Sequence, residues 1–192
     1  LCDPELTYGL PPSLTAATGM DAISHCLETF MAPAFNPPAD AIAMDGLTRG
    51  WRSLERAVKD GADKAARNDM MVCALEGAMA FQKGLGAVHA LTHPLGAIRQ
   101  LNLHHGTLNA VYLPAVLRFN APAVGDKYRP VARVMGLPAN AANAEGVAEA
   151  VGALNARLGI PKGLGAMGLA QDTIEKIADG ALGDHCHQST PR

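Results

Sequence analysis

Alternating runs of β-branched and aromatic residues, the raw material of strands, are nearly absent from this chain, while alanine recurs from end to end. Alanine is the best helix former and strands favour the missing residue types, so the expected fold class is all-α, a helical bundle. With 192 residues, 48% of them hydrophobic, the chain can bury a real core as one large domain or two small ones. The net charge is −2 and no basic run exceeds two residues, which excludes an obvious nucleic-acid partner. No apolar stretch reaches the roughly 18 residues that a membrane span needs, so no membrane partner is expected either.

Helix signals follow in order. Pro4, Pro11 and Pro12 keep residues 1–12 extended, and Ser13 is placed to cap a helix over about 14–32. Asn36 and Pro37 suit the start of the next helix, which carries Ile42, Leu47, Trp51 and Leu54 and ends at Lys59-Asp60-Gly61. Residues 63–83 form a third, in which Met71, Leu75 and Met79 recur every fourth position and are expected to fill the core. A further helix covers 107–120 with a kink at Pro114, and Val147, Val151, Leu154 and Leu158 mark another. Lys162 to Gly168 reads as a glycine-rich linker, since it lacks the Gly-Lys-Ser/Thr of a phosphate loop. Asp172-Thr173-Ile174-Glu175 fits a capping box opening a last short helix.

Four of the seven histidines fall between Gly84 and Gly106, in an apolar, glycine-rich stretch whose one formal charge is Arg99. Imidazoles gathered in such a setting point to metal ligation or proton transfer. His89 and His93 are four apart, as are Asp21 and His25 upstream, so each pair shares one helix face. An isolated pair of this kind is ordinarily a cap or a surface contact, and a lone buried histidine ordinarily a satisfied core residue. His105 precedes Gly106 at a helix opening, where a loop can turn its ring inward. One carboxylate and three imidazoles make a mixed nitrogen and oxygen set suited to Fe²⁺ or Zn²⁺ with a position left for substrate, and unsuited to calcium or magnesium.

Thr15 to His25, Gly84 to Gly96 and His105-Gly106-Thr107-Leu108-Asn109-Ala110 together resemble the signatures of the iron-containing (group III) alcohol dehydrogenases. Asp3 to Thr7 with Leu10-Pro11-Pro12 resembles the stretch before the first motif, and Thr190-Pro191-Arg192 a later one. The resemblance implies that Asp21, His25, His89 and His105 bind the metal, with His93 beside the substrate as the proton-relay residue and His104 a bystander. It implies Fe²⁺ or Zn²⁺ and NAD or NADP as cofactors, a small alcohol or aldehyde as substrate, a homo-oligomer and a cytoplasmic enzyme.

The family also has an N-terminal α/β domain that binds NAD(P), and no G-x-G-x-x-G after a strand exists here. Residues 1–192 are therefore expected to be the helical metal-binding domain alone, of the dehydroquinate-synthase-like kind, and to bind dinucleotide poorly by themselves. Leu1-Cys2-Asp3-Pro4-Glu5 reads as a cut into a longer chain, and the C-terminus as stopping before a last family helix. The four cysteines show no C-x-x-C spacing and are expected to be buried free thiols in a reducing cytoplasm. Asp184-His185-Cys186-His187 could chelate adventitious metal but reads as a polar tail without a partner motif. Other readings are a glycerol-dehydrogenase- or maleylacetate-reductase-like relative, a metal-dependent hydrolase (which would lack H-E-x-x-H), and a non-catalytic metal-binding module.

Overall fold

The computed structural model describes residues 2–96, 98 and 102–192, and all of its regular elements are helical. Arg99 lies outside the described residues. The all-α expectation holds. The first helix, α1 (Pro12–Met31), is the axis of the bundle, with almost every residue from Thr15 onward buried. It packs on α2 (Pro37–Lys59), α3 (Lys64–Ala80) and α5 (His105–Val124). Among these helices no segment is long and apolar enough to cross a membrane.

Two ends differ from expectation. The helix begins at Pro12 rather than after Ser13, because proline brings a preset φ and no orphan N–H to the first turn. Before it, Pro4–Thr7 is a 3-10 turn capped by the Asp3 carboxylate rather than an extended strand. By contrast, Asn36 caps α2 as its spacing suggests, its side chain accepting from the Ala39 amide at 3.3 Å.

The stripe of Met71, Leu75 and Met79 is not core. Leu75 is 41% and Met79 50% exposed, while α3 buries Cys73, Gly77 and Ala80 instead. Small residues let α3 approach α1 and α2 closely, and that approach turns the larger side chains outward. Trp51 is half-buried against the main core, in keeping with packing. All four cysteines are free, but Cys2 is exposed and only Cys26, Cys73 and Cys186 are buried.

After a 3-10 turn at Phe81–Lys83 the histidine stretch forms α4 (Ala87–Gly96), which holds Pro94 within it. The chain then runs through α5, the unforeseen short α6 (Tyr128–Val134) and α7 (Ala144–Arg157). Val147, Val151, Leu154 and Leu158 of that segment are buried, as their spacing predicts. Finally α8 (Ile174–Leu182) lies against α4, with Ile177 against Leu95 and Leu108, and Ala181 against Ala90. Its capping box does not form. Thr173 makes no side-chain cap bond, because Gln171–Thr173 is wound into a 3-10 turn instead.

Candidate metal centre

Three helices supply the site. On α1, Asp21 and His25 sit one turn apart; on α4, His89 and His93 do the same; α5 opens with His105. Gly106 is what brings the α5 opening to α1. A Cβ there would stand 2.1 Å from the Ala17 carbonyl oxygen, so only glycine permits the approach.

The approach makes three donors converge. Asp21 Oδ1 lies 3.6 Å from His89 Nε2 and 3.6 Å from His105 Nε2. His25 stands beside this group, its ring stacked on that of His89 with centroids 4.6 Å apart and its far side toward Phe81. The His93 ring is 5.6 Å from His105 and 5.9 Å from His89, and its Nδ1 meets Asp184 Oδ2 at 2.8 Å. His104 is exposed at the residue before α5 and makes no side-chain cap bond.

Two buried polar residues hold the arrangement and carried no role in the motif reading. Glu28 accepts from the Val88 amide at 2.7 Å and contacts His89 Nδ1 at 2.5 Å. Asn109 accepts from Thr92 Oγ1 at 2.8 Å; its Nδ2 donates to Asp21 Oδ1 at 2.5 Å and stands 3.1 and 3.0 Å from His89 Nε2 and His105 Nε2. Both continue a spacing already present in the chain. Glu28 follows Asp21 and His25 at helical intervals on α1, and Asn109 follows His105 by one turn on α5.

The electrostatics ask for positive charge. Burial works against the charged form of His89, but its hydrogen bonds to Asp21 and Glu28 outweigh burial and hold its pKa up to about 9. Burial likewise opposes ionisation of Asp21, yet the His89 bond and the neighbouring imidazoles bring its carboxyl down to about 2. His25, with burial dominant, falls to about 4, and burial lowers His105 as well. The ionised Asp21 and the neutral rings of His25 and His105 are in the protonation states that metal ligation requires, whereas His89 must give up a proton to a cation.

These residues fit a transition-metal cation. Bonds of about 2.1 Å in tetrahedral array set donor atoms about 3.4 Å apart, close to the 3.6 Å separations around Asp21. The Asn109 amide group answers the same convergence of lone pairs that a cation would answer. Among the described residues no strand leads into a glycine-rich turn.

Comparison with known proteins gives one result throughout. Residues 15–192 match the C-terminal part of the Fe-containing alcohol dehydrogenase family. The 4-hydroxybutyrate dehydrogenase of Cupriavidus necator is 57% identical over 199 aligned positions, covering 100% of this chain and 51% of that protein. Alcohol dehydrogenase 4 of Saccharomyces cerevisiae is 40% identical, over 98% of this chain and 49% of its own length. The crystal structure of a 1,3-propanediol oxidoreductase superposes with a TM-score of 0.93 at 38% identity, covering 99% of this chain and 50% of that one. The chain spans about half the length of the curated relatives it matches.

Proposed function

The chain belongs to the iron-containing alcohol dehydrogenase family, and from that premise we propose that it supplies the metal and substrate half of an NAD(P)-dependent alcohol dehydrogenase. The observation that carries this reading is the convergence of Asp21, His89 and His105 at a spacing that suits one cation. The reaction is the reversible oxidation of a small alcohol to an aldehyde or ketone. When bound, Fe²⁺ or Zn²⁺ supplies Lewis acidity to the alcohol oxygen, and NAD or NADP supplies the hydride acceptor.

This chain's own residues do the rest. Asp21, His89 and His105 would hold the cation, with His25 beside them to complete the set. Glu28 accepts a hydrogen bond from His89 Nδ1–H, which leaves Nε2, the nitrogen on the Asp21 side, as the one available to a cation. His93 has Nδ1 engaged by Asp184, which leaves Nε2 to take the alcohol proton. The apolar residues of α4 and α5 around these rings keep the dielectric low and the charges strong.

The relative from Cupriavidus necator is a 4-hydroxybutyrate dehydrogenase, so that hydroxy acid is the first substrate to assay. Metal content and nicotinamide-linked alcohol oxidation should be measured on the chain alone and joined to a dinucleotide-binding half. His89→Ala and His105→Ala should each abolish metal retention, whereas His93→Ala should keep the metal and slow turnover. Normal metal content in the His89 variant would remove it from the ligand set.

A further inference from the structure

The turn after α8 carries a second donor set to α4. His185–Ser189 is a 3-10 turn capped by Asp184, whose Oδ1 accepts from the Cys186 amide at 2.8 Å. Far from being a free polar tail, this turn is packed down, with Cys186 only 3% exposed beside Ala90 and Ala181. The other Asp184 oxygen meets His93 Nδ1. His185 lies against the same group, with Nδ1 3.7 Å from Asp184 Oδ1, Nε2 3.4 Å from Cys186 Sγ and its ring stacked on that of His93 at 5.8 Å. One ligand atom from each of His93, Asp184, His185 and Cys186 lies within 4.8 Å of all the others.

The geometry points to a second cation site, formed by His93, Asp184, His185 and Cys186, that takes a thiophilic divalent ion such as zinc. A thiolate, two imidazoles and a carboxylate are the donors such an ion prefers, and they are softer than the Asp21 set. Closure asks little of the chain. The donors, none more than 4.8 Å from another, must settle at separations of about 3.5 Å, and the His185 side chain is 83% exposed and open to solvent as an entry path. Without a cation the thiol is inert, since burial and then Asp184 push it up to about 12. A cation reverses this by displacing the thiol proton to solvent as the metal–sulfur bond forms.

The site shares no ligand with Asp21, His89 or His105, so it stands whether or not the reading of that set does. Occupancy would draw His93 away from the proton path, which makes a thiophilic cation an inhibitor of the proposed reaction.

Cobalt(II) tests this on the chain itself, metal-free and reduced, with exposed Cys2 replaced by Ser to remove its thiol. Binding here should give the near-ultraviolet absorption of a cobalt–thiolate bond. Asp21→Asn should leave that band in place, and Cys186→Ser should abolish it. His185→Ala changes an exposed side chain and cannot fail through the core; it should weaken cobalt binding at the band by roughly tenfold or more. A chain that takes up cobalt without the band, a band that survives Cys186→Ser, or a His185 variant of unchanged affinity would overturn the site.

Discussion

A Glu28 oxygen on α1 and His89 Nδ1 on α4 stand 2.5 Å apart, both buried, and the opposite ring nitrogen faces Asp21 at 3.6 Å. The carboxylate thereby fixes which nitrogen of His89 is left for a ligand. Glu28→Gln keeps an acceptor for the Val88 amide, so the helix contact survives, but its weaker acceptor no longer holds Nδ1–H firmly. Removing such a partner typically lowers metal affinity by about 10–100-fold. Competition against a graded set of chelators reads this directly, and an affinity equal to that of the unaltered chain would deny Glu28 the role.

Gly106 tests whether the site depends on the closeness of α1 and α5. In Gly106→Ala the new methyl meets backbone, the Ala17 carbonyl, and neither helix can yield by rotating a side chain. Overpacking of this kind costs about 1–3 kcal/mol. The displaced α5 should also carry His105 away from Asp21, so metal affinity should fall along with the melting temperature. A variant that melts normally and binds normally would mean that the two helices have slack between them.

Lys83 ties the end of α1 to α2. Its fully buried ammonium donates to the Thr29 and Phe30 carbonyls at 3.0 and 3.3 Å and pairs with Asp40. Lys83→Ala leaves the Phe30 carbonyl to Lys127, 2.7 Å away, but strands the Thr29 carbonyl and a carboxylate that is 28% exposed. Breaking a buried pair costs about 3 kcal/mol at the lower end, so thermal unfolding followed by circular dichroism should shift down by roughly 6–12 °C in a domain of this size. A fall of less than about 2 °C would show that water reaches the vacated space and satisfies both groups.

The helices that sequence pattern located best are those with one clear apolar stripe or a strong start. Asn36 before Pro37 and Val147 through Leu158 are examples, because cap chemistry and period act locally. Met71, Leu75 and Met79 misled for a physical reason: period identifies a face but not which face is inward, and α3 packs through Cys73, Gly77 and Ala80. At the site, the pairs Asp21–His25 and His89–His93 were legible because helical spacing is a property of the chain alone. Glu28 and Asn109 lay on the same spacing but gained meaning only when α1, α4 and α5 met. The pairing of Asp184 with His93 could not be read, since the two are distant in sequence and the contact is made by tertiary packing.

Glu76 offers a pH signature away from the metal centre. Burial, and then the neighbouring carboxyl of Asp45, raise its pKa to about 7; Arg49, 3.8 Å away, offsets this only in part. In an unfolded chain a glutamate titrates near 4.3. Between these values the folded protein therefore holds a proton that the unfolded one has lost. The stability this contributes is fully present below about 4.3 and is lost as pH rises through about 7. Glu76→Gln keeps the shape without the proton. Its melting temperature minus that of the parent chain should be flat below the unfolded value, climb as pH rises and level off above about 7. Paired melting curves from pH 4 to pH 8.5 measure it, and a difference that does not change across that range would show that Glu76 ionises alike in both states.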